Sequence, residues 1–70
     1  MSAPIVIHRP APATGGRAVT INGEIAGLAH NDHDLIEFLR RAGLYEPEDI
    51  LDDRHWIEWR GGRAHQYEAA

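Results

Sequence analysis

The chain contains no cysteine. All seven of its basic residues are arginine, so lysine is absent too. Serine occurs only at Ser2. Without cysteine there can be no disulfide, no cysteine-based zinc finger or ribbon and no iron–sulfur site. A cysteine-free small domain is expected to be intracellular, hence cytoplasmic. The apolar run near the start, Ile5-Val6-Ile7, is broken by His8 and Arg9 and falls short of a signal-peptide core. No window approaches the ~18 apolar residues of a membrane-spanning helix. The formal net charge of -4 disfavours nucleic acid as the main partner, because phosphate binding needs a basic footprint. Arginine in place of lysine matches the coding bias of GC-rich genomes, and the chain is expected to be bacterial.

Seventy residues make one domain, expected to span 1-70. A chain of this size buries only about 60% of its unfolded surface. Its own core contributes ~3–5 kcal/mol of net stability.

Pro4 to Arg9 reads as a strand bounded by Pro4 and Pro10, since proline suits strand ends. Residues 10-16, with two prolines and two glycines, form a loop. Val19-Thr20-Ile21, Asn22-Gly23 and Glu24 to Leu28 read as a hairpin, because Asn-Gly favours a type I′ turn. The competing reading is a helix from about Asn22 to His30, which would make a helix-turn-helix with the next element.

A helix is predicted from about Asp32 to Ala42. Asn31 can cap it, with Asp34 at the third helical position. Asp32 and Asp34 meet the positive helix end, and Arg40 and Arg41 the negative one. Leu35, Phe38, Leu39 and Ala42 form an apolar stripe widened by Ile36. Gly43 fits a left-handed terminator, with Leu44 folding back onto the stripe. Residues 45-53 read as an acidic connector in which Pro47 opens a single helical turn.

His55 to Arg60 and Arg63 to Glu68 are expected to pair as a second hairpin around Gly61-Gly62. Ile57, Trp59, Ala64 and Gln66 would face the core. Trp56, Glu58, Arg60, Arg63, His65 and Tyr67 would face outward. The expected fold is therefore α+β: a small antiparallel sheet of four or five strands with one helix packed across a face.

The chemistry-bearing candidates are few. His30 and His33 could form a two-histidine metal site with Asp32 or Asp34, but no zinc-protease spacing or cysteine accompanies them, and no metal or cofactor is expected. Glu58 opposite His65 would place a carboxylate against an imidazole, as an acid–base pair or as a plain surface ion pair. Trp, Tyr and Arg dominate interface hot spots. Trp56, Arg60, Arg63, His65 and Tyr67 are therefore the candidate binding residues, with the alternative that Trp56 and Tyr67 complete the core. A sheet edge could also accept a partner strand. The resulting expectation is a small non-catalytic accessory or regulatory protein that contacts another protein or itself, without a membrane. The alternatives are a nucleic-acid binder that uses the same arginines and aromatics, and a small metal-dependent or acid–base enzyme.

Overall fold

Asn22 and Gly23 both adopt positive φ, 52° and 86°, the pair of left-handed conformations that a type I′ turn requires. That turn joins β2 (Arg17–Ile21) to β3 (Glu24–Ala29), so the hairpin reading holds and the helix reading does not. The computed structural model describes residues 3–68. Ser2, the sole serine, lies outside the described residues.

β1 (Ile5–Pro10) pairs antiparallel with β2, and β2 antiparallel with β3. The short β4 (Ile57–Trp59) joins the far side of β1 in parallel, giving the sheet order β3-β2-β1-β4. The sheet is thus mixed and not wholly antiparallel. A parallel neighbour needs a crossover, and the single helix α1 (Asp32–Arg41) supplies it. A 3-10 turn, Pro47–Ile50, follows in the acidic connector.

α1 forms where its sequence signals agree. Asn31 is extended, and its Oδ1 accepts from the Asp34 N–H at 2.8 Å. Asp34 in turn accepts from the His30 N–H at 3.1 Å. At the other end the Gly43 N–H donates to the Arg40 carbonyl and the Leu44 N–H to the Leu39 carbonyl. These are the two bonds of a Schellman terminator, which needs the positive φ that Gly43 supplies. Leu35 and Leu39 are fully buried against Ile5, Ile7, Val19 and Ile57.

Period-2 alternation sorts the rest. Ile5, Ile7, Val19 and Ile57 lie under the helix. Val6, His8, Ala18, Thr20 and Glu58 are on the opposite, helix-free face. A bulge in β3 breaks the alternation there: Val19 pairs with Gly27 but Thr20 pairs with Ile25, leaving Ala26 as the extra residue. The bulge places Ile25 with Leu28 on the helix-free face. Gly27, at φ 155°, leaves room for the Phe38 ring, which a Cβ at that position would meet at 2.6 Å.

The C-terminal hairpin does not form. Among the described residues no strand follows β4, and Gly61-Gly62 redirects the chain instead of reversing it. Two causes are visible. The carbonyls of Arg60, Arg63 and Gln66 are turned inward onto Arg17. His65 is left-handed, with φ 67°, which no strand allows.

Candidate functional site

The segment after β4 closes over the end of the sheet where the C-termini of the parallel strands β1 and β4 meet, and two polar clusters hold it there. The first is built on Arg17, whose alternation with Val19 sends its side chain to the core side. It has no solvent exposure. Its Nε donates to the His8 carbonyl at 2.8 Å, and Nη1 donates to Arg63 and Gln66 at 3.0 and 2.9 Å. Nη2 donates to Ile7 at 3.5 Å and to Arg60. A guanidinium has five N–H donors, and here each has a carbonyl oxygen. The Trp59 ring covers the cation at 5.3 Å, a cation–π arrangement. Burial lowers the Arg17 pKa, and the neighbouring Tyr67 opposes that shift. The charge is thus stabilised by peptide dipoles and an aromatic face, and among the described residues no carboxylate pairs with it.

The second cluster centres on His65. Its Nδ1 lies 2.7 Å from Asp32 Oδ2 and its Nε2 2.7 Å from Asp52 Oδ1. The Tyr67 hydroxyl donates to the other oxygen of Asp32 at 2.6 Å. Trp59 lies against both rings, with centroids 5.2 Å from His65 and 5.9 Å from Tyr67, and its indole N–H donates to the Leu51 carbonyl at 2.9 Å. The hydrogen bond to Asp52 is the largest cause raising the His65 pKa. Desolvation opposes it, and the bond to Asp32 and both carboxylate charges add to it. Tyr67 is also raised, first by desolvation and then by its bond to Asp32.

The five sequence-selected residues are therefore not on one surface. Tyr67 is buried in the core, which settles its alternative roles. His65 bridges Asp32 and Asp52 and does not face Glu58, which pairs with Arg60 instead. Arg63 lines an open groove of about 650 Å³ with Arg9, Pro10, Pro12 and Gly61-Gly62. Trp56 lies one residue before β4 and is 43% exposed. It shares the outward alternation of Glu58 and Arg60, so this part of the expected face survives the loss of the hairpin.

His30 and His33 are both exposed, and no group of three or more potential ligands gathers around a metal position among the described residues. His8 donates to or accepts from the Thr20 hydroxyl at 3.0 Å on the helix-free face. Sequence reasoning missed Arg17, Asp32 and Asp52 as partners of the C-terminal segment. An arginine at an apolar strand position, in phase with Val19 and Ile21, was the one available signal.

Chemically, the His65 cluster can hold a charge and a chain segment. Both ring nitrogens are occupied by carboxylates, so neither has a lone pair free to take a proton from a substrate. No family model matches the chain, and neither a curated protein nor a solved structure matches it. No helix among the described residues is long and apolar enough to cross a membrane.

Proposed function

We propose that the chain is a small non-catalytic binding module of the cytoplasm, acting as an accessory or regulatory protein, and that it meets a protein partner or a second copy through the helix-free face of its sheet. One observation carries this reading. Of the four large hydrophobic residues exposed among the described residues, Ile25 (80%) and Leu28 (42%) pair onto that face opposite Thr20 and Ala18, and Trp56 (43%) immediately precedes β4 at the other edge of the sheet. They flank a centre formed by the buried Val6 and the His8–Thr20 pair, with the Glu58–Arg60 pair at the rim. Exposed apolar side chains beside polar groups are the ordinary material of a protein interface.

The face is a better candidate than either edge. β4 offers three residues, and the bulge at Ala26 interrupts the outer ladder of β3; short strands and bulges both blunt edges against strand addition. The nucleic-acid alternative loses two stacking groups, because Tyr67 is buried and Trp59 is half-buried against Arg17.

The test is light scattering together with pull-down on the intact chain and on Leu28→Glu and Trp56→Ala. We expect a dimer, or a captured partner, that both substitutions abolish while far-ultraviolet circular dichroism stays unchanged. A monomer at every concentration, with capture indifferent to both changes, would overturn the reading. Salt-dependent oligonucleotide binding at ~50 mM salt would replace it with the nucleic-acid one.

A further inference from the structure

The geometry around His65 favours its charged form. A carboxylate only accepts, so Asp32 at Nδ1 and Asp52 at Nε2 each require an N–H, and only the imidazolium carries two. A neutral ring would turn a lone pair toward one of the two carboxylates. The charged and titratable groups around it come from every neighbouring element. α1 supplies Asp32, with Asp34 behind it near Tyr67. The turn after the 3-10 segment supplies Asp52, and β4 supplies the Trp59 ring. Tyr67, Glu68 and His30 line the adjoining groove of about 380 Å³. Arg17, beneath Trp59, is the buried cation on the far side.

His65 is also one of the non-glycine residues at positive φ, a conformation that a side chain with a Cβ disfavours. Two carboxylates hold the ring in that position. Its position matters as much. The carbonyls of Arg63 and Gln66 on either side accept from Arg17, and the Tyr67 carbonyl accepts from the Gly16 N–H at 2.8 Å.

We propose that Asp32, His65 and Asp52 form a proton-operated latch on residues 63–67: the imidazolium clamps this segment across α1 and the connector, and the neutral ring releases it while the sheet stays folded. Opening is local because no strand ladder passes through the segment, and because Arg17 keeps the Ile7, His8 and Arg60 carbonyls when Arg63 and Gln66 leave. The folded-state pKa is raised above the ordinary value of 6.5. Latch stability is therefore fully present below 6.5 and is lost as pH rises through the raised value.

The experiment is nuclear magnetic resonance on the full chain from about pH 5 to about pH 9, the range that a perturbed imidazole spans. The His65 ring should titrate above 6.5, and the Gly16 amide should lose about tenfold in exchange protection as it does so, while the Val19 amide in the sheet keeps its own. Asp52→Asn should lower the His65 titration point. His65→Gly supplies positive φ without strain and removes the imidazole, so it should fold with Gly16 protection low and independent of pH. Titration of His65 at or below its ordinary value, constant Gly16 protection in the native chain, or a native-like fall in His65→Gly would each overturn the latch.

Discussion

Arg17 shows how much one side chain can organise in so small a molecule. Its guanidinium gathers carbonyls from the end of β1, the end of β4 and the segment beyond. Lysine has three donors on one atom and cannot span that fork. Arg17→Lys should destabilise the fold by ~2–3 kcal/mol through stranded carbonyls, measured as a lower urea midpoint. Arg17→Met removes the guanidinium from all five, leaving Ile7 and Arg63 with only their bonds from the Arg60 and Gln66 N–H, and should cost on the order of the whole ~3–5 kcal/mol that such a domain has. A wild-type midpoint for Arg17→Met would show that the network is incidental. Only its phase with Val19 and Ile21 hinted at this beforehand. An arginine opening a strand reads as surface, because its acceptors are backbone carbonyls that carry no sequence identity. Asp32 was legible as a helix-start residue, but nothing in its local pattern shows that His65 and Tyr67 would reach it.

Single elements follow the opposite rule: those governed by local physics could be read in advance. The Asn22-Gly23 turn needs only two residues that tolerate positive φ. α1 needs a cap, a stripe and a terminator, and all three stand in the sequence between Asn31 and Leu44. Asn31→Ala removes the bond to the Asp34 N–H and should cost about 1 kcal/mol of stability, seen as a lower thermal midpoint with the native spectrum retained. The Gly61-Gly62 hairpin failed because its local signal was genuine but outcompeted. Arg17 claimed the carbonyls that a returning strand would have used, and β4 kept β1, some fifty positions upstream, as its ladder partner. The inward and outward faces of β4 were nevertheless read correctly, because period-2 alternation does not depend on which strand lies alongside.

For the whole molecule, the sheet has two unlike sides. One is sealed by Leu35, Leu39 and Tyr67, and the other is left with Ile25, Leu28 and Trp56. The α+β class was legible because it follows from one good helix among short strands. The mixed order β3-β2-β1-β4 was not, because a parallel partner depends on where the crossover lands. The segment after β4 completes the core through Tyr67 and the Arg17 network. A chain ending after Arg60 should therefore keep a folded sheet but unfold at a lower urea midpoint than the full chain. A midpoint equal to that of the full chain would show that the segment adds nothing to stability.

Arg17 and its acceptors are separated by 43, 46 and 49 positions at Arg60, Arg63 and Gln66. On a translating ribosome this sets an order of events. The first three strands and the helix emerge with an apolar sheet, a cation that lacks most of its acceptors and an unfilled place for β4. Local turns and the helix can flicker into existence, but the domain cannot be completed until about residue 67 has cleared the exit tunnel. A nascent chain that has not yet reached Gln66 thus holds a folded-sheet arginine whose donors outnumber its acceptors, and closing the Arg17 network is among the last events of folding.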